Sequence, residues 1–388
     1  MKKNIKRFLP KFVKKSIINF IENQTITNYC KTDFSKNALV SHMTIPFIKN
    51  SMSHTNFFEA QSLVKILFEL NYNVDIIHYD NSKSVDLSKY DLILGFGDIF
   101  RKYFEYPYMY KAKTIHYATG MHVCHQNQAT LKRVKDVYEK KGIWLAKSAR
   151  FVEKTWSHQT VLVDAIIALG NDVCANSYKK YYDGKVYSVA VPFYKTKEGE
   201  KIVMQRGKDA SRNFLWFGSS GLVHKGLDLL LEYFSKNSDL TLHICAALEN
   251  EPEFVNAYKN ELHNSKNIIT HGFVDIKDKL FEDILKSCSF VIFPSCSEGG
   301  AASVITAIGN GGLIPIITRE TAISSGYEVW IDSFDYSGVD KAIKEAVALS
   351  DEEILYLQSK NLEYVLNNHS QKNYYNMLKE SIAECMDV

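Results

Sequence analysis

Residues 290–318 read FVIFPSCSEGGAASVITAIGNGGLIPIIT. An apolar run, Phe290–Phe293, leads into a polar turn with two adjacent glycines. A helix-compatible stretch and a second apolar run, 313–317, follow. Strand, loop, helix, strand is the unit of a parallel sheet covered by crossover helices. Glu298 falls in the loop at the carboxyl end of a strand, where open parallel sheets bind ligands. Gly299 and Gly300 let the backbone approach a ligand closely. Ala301, Ala302 and Ser303 then present amides at a helix N-terminus, a seat for phosphate. A carboxylate beside a phosphate seat suits a sugar nucleotide: amides for the diphosphate, carboxylate for sugar hydroxyls. The same letters also fit an ordinary strand-to-helix turn with a surface Glu.

The pattern extends in both directions. Upstream, strands are expected at 38–42, 74–78, 91–94, 114–118, 165–169 and 186–191, with an amphipathic helix over 57–70. Residues 195–212, KTKEGEKIVMQRGKDASR, are charged and poor in large apolar groups, and read as a linker. The alternation restarts with strands at 213–217, 240–245, 290–293 and 313–317 and helices at 226–234 and 276–288. Ser350 and Glu353 form a capping box for a late helix, and a last helix begins near Ser370. A chain of 388 residues exceeds one ordinary core. The expected fold is therefore α/β, with two Rossmann-like doubly wound domains facing a cleft. The expected segments are 1–35, a basic N-terminal segment; 36–194, the first domain; 195–212, the linker; 213–369, the second domain; and 370–388, a last helix.

Two phosphate loops fail. GFGDIF at 95–100 has Phe100 where a dinucleotide fingerprint needs its third glycine, and it follows the third strand. GLVHKGL at 221–227 has no Lys after its second Gly, so it is not a P-loop. Hydride transfer and P-loop phosphoryl transfer lose ground.

The 290–318 stretch resembles the donor-site motif of glycosyltransferase family 4, the group 1 glycosyltransferases, which have the GT-B fold. Pro294, Ser295, Glu298 and Gly299 match; Thr306 stands where the family has a second, ribose-binding Glu. Residues 214–234, FLWFGSSGLVHKGLDLLLEYF, are similar to the strand, loop and helix that open the family's donor domain. Gly218, Lys225, Gly226, Asp228 and Leu230 match, and Ser219 replaces the usual Arg. HGFVD at 271–275 resembles the loop beside the nucleotide base, with Phe273 the candidate contact. The resemblance covers residues 213–320. It implies a donor site of Gly218, Ser219, Lys225, Phe273, Glu298, Gly299, Gly300, Ala301, Ala302, Ser303 and Thr306. It further implies Lys225 on the diphosphate, Glu298 on the donor sugar, retention of anomeric configuration, and a final helix, 370–388, that crosses back to the first domain. By the same resemblance His122, preferred to His116, contacts the donor sugar. Asp98, beyond a strand's carboxyl end, is the candidate base if the reaction inverts.

Charge and cysteine use set the surroundings. Lys2, Lys3, Lys6, Arg7, Lys11, Lys14 and Lys15 crowd the first fifteen residues; the remainder carries 40 basic against 44 acidic residues. Such a body is no general polyanion binder, so nucleic acid is not an expected partner. Apolar residues at helical spacing within 1–22 fit either an interfacial helix on an anionic membrane or a helix packed on the protein's own body. Seven cysteines without a CxxC fit a reducing compartment. No run is long and apolar enough for a membrane span. The expected location is the cytoplasm, peripheral on the inner face of the membrane. His122, Cys124 and His125 match no zinc spacing. Asp-x-Asp, the cation-binding triplet of GT-A transferases, does not occur, so neither metal nor cofactor is expected.

The function expected is transfer of a sugar from a sugar nucleotide to a glycan or lipid-linked acceptor, in cell-surface polysaccharide synthesis. The alternatives are a non-catalytic GT-B-like sugar-nucleotide-binding subunit and a GT-B-fold sugar-nucleotide epimerase.

Overall fold

The computed structural model describes residues 25–387, apart from 50, 53, 82 and 155. The expected amphipathic segment, 1–22, lies outside the described residues. The first sheet contains β1 (Lys36–His42), β2 (Tyr72–His78), β3 (Leu92–Gly95), β4 (Lys113–Ala118), β5 (Ala165–Leu169) and β6 (Lys185–Val189), in the order β2-β1-β3-β4-β5-β6. The second contains β7 (Asn213–Phe217), β8 (Thr241–Cys245), β9 (Ile268–Gly272), β10 (Phe290–Phe293), β11 (Ile314–Ile317) and β12 (Val329–Trp330), in the order β12-β11-β10-β7-β8-β9. Neighbouring strands pair in parallel throughout both sheets. The central strands are buried along their length, as a sheet covered on both faces requires. The strand order reverses beside β1 and β3 in one sheet and beside β7 and β10 in the other. These reversals place ligand-binding crevices at the carboxyl ends of those strands.

The halves lend each other helices. Val123–Lys141, a 19-residue helix between β4 and β5, packs Val134 and Val137 into the core of the second sheet. Arg133 of that helix meets Asp228 at 2.5 Å, both side chains buried. Lys140–Glu232 at 3.1 Å and Lys141–Glu261 at 2.7 Å continue the contact. In return Gln371–Asp387 seats Tyr374, Leu378, Ile382 and Cys385 in the core of the first sheet.

Residues 195–212 differ from the linker reading. They contain the helix Gly199–Gln205, whose Ile202 joins the core of the second sheet. The short apolar run IVM was masked by its charged neighbours. Ser350 and Glu353 do form the capping box of the helix Asp351–Asn368.

Candidate active site

The chain leaves β7 through Gly218, Ser219, Ser220 and Gly221. Glu251 holds the turn that follows: its carboxylate accepts the amides of Gly221 at 2.5 Å and Leu222 at 3.2 Å. Gly226 then caps the helix Leu227–Phe234 at φ +70°, and a Cβ there would stand 2.3 Å from the Pro294 carbonyl oxygen. Only glycine allows the loop after β7 to cross the loop after β10 this closely.

That crossing brings Lys225 to Glu298. Lys225 Nζ donates to Glu298 Oε1 at 2.6 Å, and Ser295 Oγ donates to the same oxygen at 2.8 Å. Arg150 approaches the other oxygen at 3.7 Å. Burial lowers the Lys225 amine and would raise the Glu298 carboxyl, but the cations Lys225 and Arg150 push that carboxyl down to about 2. Glu298 is therefore ionised, held between two positive groups.

Beyond Glu298 the two halves touch. A Cβ on Gly299 would lie 2.6 Å from the carbonyl oxygen of Thr119. Gly300 and Ala301 both take positive φ, and Ala301 caps the ten-residue helix Ala302–Gly311. The first amides of that helix have no intrahelical acceptor, and its dipole is positive at this end.

The cleft above holds a cavity of about 420 Å³. Gly218, Ser219, Lys225, Phe273, Glu298, Gly299, Ala301, Ala302, Ser303 and Thr306 all line it, ten of the eleven donor residues expected from sequence. Gly300 packs instead against Gly170 and Val191. Phe273, 68% exposed, stands at the mouth. Thr306 turns its hydroxyl back to the Ala302 carbonyl at 2.7 Å, leaving no carboxylate at that point of the wall. His54 also lines this cavity, and burial with Arg150 and Lys225 nearby lowers its imidazole.

A smaller cavity of about 170 Å³ adjoins the first and shares Thr119, Arg150, Glu298 and Gly299 with it. Its remaining wall includes the aromatic and polar groups Phe96, Tyr117, Trp156, Tyr178, Gln126 and His116 beside the aliphatic Met121, Val123 and Val152. His116 Nδ1 lies 3.2 Å from the Gly95 carbonyl oxygen, and burial keeps the ring neutral, lowered to about 4.

Two expected residues are turned away from both cavities. His122 caps Val123–Lys141, accepting the Cys124 amide at 3.3 Å, and stacks on Tyr181 at 4.3 Å. Asp98 begins its own helix and pairs with Arg101 at 2.7 Å and Lys102 at 3.5 Å. Both positions follow the carboxyl end of a strand, but Asp98 is ion-paired, His122 Nδ1 caps its helix, and neither residue lines either cavity. Asn171 also caps a helix, accepting the Val173 amide at 3.0 Å.

Three residues at the cleft escaped the sequence reading. Arg150 carries no local motif. Glu251 is separated from the loop it holds by about thirty residues. Glu59 did leave a signal: a carboxylate beside the apolar stripe of the helix Asn56–Glu69. It accepts from Tyr117 Oη at 3.0 Å, and burial raises its carboxyl.

By sequence the chain matches no family model and no curated protein. Solved structures do resemble it. The Anabaena protein Alr3699/HepE, solved with UDP and glucose, superposes with a TM-score of 0.58 at 10% identity, over 90% of this chain and 99% of that one. A glycosyltransferase from Rickettsia africae ESF-5 gives 0.54 at 13% identity, over 91% and 99%. An alpha,alpha-trehalose-phosphate synthase (UDP-forming) from Burkholderia vietnamiensis gives 0.53 at 11% identity, over 88% and 79%. What is shared at these identities is the fold. Two doubly wound domains across a cleft make this a GT-B architecture.

Proposed function

We propose that the protein is a glycosyltransferase that takes a sugar from a sugar nucleotide. The observation that carries this reading is the Lys225–Glu298 pair facing the first turn of Ala302–Gly311 across the larger cavity, at the topological switch of the second sheet. The donor diphosphate lies against the amides of Ala302 and Ser303. Lys225 and the helix dipole stabilise the charge that grows on the leaving diphosphate, which is the main catalytic effect available here. Glu298, fixed as a carboxylate, accepts hydroxyls of the donor sugar. Phe273 offers a ring to the base.

The smaller cavity takes the acceptor. Its aromatic and polar wall suits a sugar ring, and its junction with the larger cavity at Glu298 and Gly299 is where the two substrates meet. His122 and Asp98 have no part in this reading, since neither side chain reaches the cleft. The further elements are a UDP-sugar donor, retention of configuration without a metal, a glycan or lipid-linked acceptor of the cell surface, and docking on the cytoplasmic face of the membrane through residues 1–22. HepE and the UDP-forming synthase support the choice of UDP.

The test is a donor screen. The protein is incubated with a panel of sugar nucleotides and glycan acceptors, and products are read by mass spectrometry. One donor is consumed by the wild type and spared by Glu298→Gln. Consumption by both proteins refutes the site. The replacements at Ser219 and Thr306 favour one other reading, a non-catalytic binding subunit, which predicts a thermal shift with a donor but no turnover.

A further inference from the structure

The larger cavity has a charge problem. Its described wall carries four carboxylates, Glu59, Glu251, Asp275 and Glu298, against two cations, Lys225 and Arg150. Lys225 is 5% exposed and committed to Glu298 at 2.6 Å, so this pair contributes little net charge. Between β7 and Gly221 the chain offers only Ser219 and Ser220 beside its glycines. A diphosphate carries about two negative charges and needs a positive partner beyond one helix end.

Arg150 is built to be that partner. Its side chain is 47% exposed, and its 3.7 Å approach to Glu298 Oε2 is longer than a hydrogen bond. Its guanidinium therefore keeps donors for phosphate oxygens, in a fork that matches them bidentately. The loop is shaped around it: a Cβ on Gly221, at φ +90°, would sit 2.6 Å from Arg150 Cγ. Its backbone is pinned at both ends, the amide donating to Thr130 Oγ1 at 3.3 Å and the carbonyl accepting from Gln126 Nε2 at 2.6 Å. The segment before it is fastened to the second domain: Lys147 meets Glu253 at 2.7 Å, and the Ser148 carbonyl accepts the His224 amide at 3.1 Å.

We propose that Arg150 is the second cation of the donor diphosphate site, supplied by the first half of the chain but carried on the second domain. The inference rests on the donor reading of the larger cavity. Arg150 also lines the smaller cavity, so the group that holds the leaving diphosphate stands at the junction with the acceptor.

Calorimetric titration of the full chain with UDP, GDP, ADP, CDP and dTDP, and with the corresponding nucleosides, tests it. The diphosphate that the wild type binds is expected to bind Arg150→Ala about ten- to a hundredfold more weakly, the range for one charge-assisted contact. The nucleoside should bind both proteins equally, and Arg150→Lys should recover part of the loss. Diphosphate binding within threefold of wild type in Arg150→Ala overturns the proposal and leaves the donor reading standing. An equal loss of nucleoside and diphosphate overturns it too, because Arg150 then only shapes the cleft. A wild type that binds none of the five diphosphates removes the donor reading and this inference together.

Discussion

Replacing Lys225 by Met should uncover the energy stored in the Lys225–Glu298 contact. At 2.6 Å, with an effective dielectric of about 20, the attraction is about 6 kcal/mol. Desolvation of both groups offsets much of it, and loss of one partner of a buried pair costs about 3–5 kcal/mol. Ser295 still donates to the stranded carboxylate, and half-exposed Arg150 remains 3.7 Å away as a screened partner. The expected loss is therefore at the low end, about 3 kcal/mol. Glu298→Gln strands the ammonium and should cost a similar amount. The double variant removes both charges and should regain about 2 kcal/mol relative to the sum of the singles. The sign of the pH effect follows from burial. In the wild type Glu298 is pushed down to about 2, so its contribution is complete above the ordinary carboxylate range and fades only as pH falls toward 2. Without Lys225 the strongest downward push on that carboxyl is gone, so the Lys225→Met deficit should shrink as pH falls through the ordinary carboxylate range, from pH 7.5 to about 4. Urea unfolding of the four proteins at both pH values measures all of this. Additivity of the two single losses within about 0.5 kcal/mol at pH 7.5 would refute the paired-charge reasoning.

Other outcomes follow from the same structure. Arg133→Met strands Asp228 across the domain contact and should cost about 3–5 kcal/mol in urea unfolding, with much of it restored by adding Asp228→Leu. Leu378→Ala removes a fully buried side chain from the first core and should cost about 2–5 kcal/mol by the same measurement. Burial lowers His42 and His224 to about 3 and His116 and His369 to about 4. Their unfolded forms bind protons first, so stability is complete above about pH 6.5 and is lost as pH falls toward the folded values, each histidine contributing about 1 kcal/mol per pH unit. A melting temperature that stays flat from pH 7 to 5 contradicts this. Phe273→Ala should weaken nucleotide binding in calorimetry without moving the melting temperature, because the ring is exposed.

Much of the larger cavity's wall was readable from sequence because it is local. Gly218, Lys225 and Glu298 lie within eight residues of the ends of β7 and β10, and strand-loop-helix grammar brings such loops to one crevice. Strands of parallel sheets are short apolar runs, and several of the stretches between them carried helical periodicity. Arg150 and Glu251 were illegible because their roles come from tertiary contact between distant segments. His122 and Asp98 show the converse. Their positions past a strand end were read well, but position does not decide where a side chain points: a neighbouring amide claims one and Arg101 the other. The helix Val123–Lys141 escaped notice because its buried face, Val134 and Val137 with Arg133, mixes apolar groups with a charge whose partner lies 95 residues away.

The exchange of helices has a consequence for how the chain is made. Translation delivers β1 to β6 early, with the helix Asn56–Glu69 against one face, but the rest of that face's cover arrives only with Gln371–Asp387. Some 180 residues separate the two, a delay of about ten to forty seconds at ordinary synthesis rates. During that interval the apolar floor on which Tyr374, Leu378 and Ile382 will rest lacks that cover, while the Val123–Lys141 helix waits for a second half not yet synthesised. Each half thus draws part of its core from the other, so the two expressed as separate pieces should each be less stable than within the whole chain.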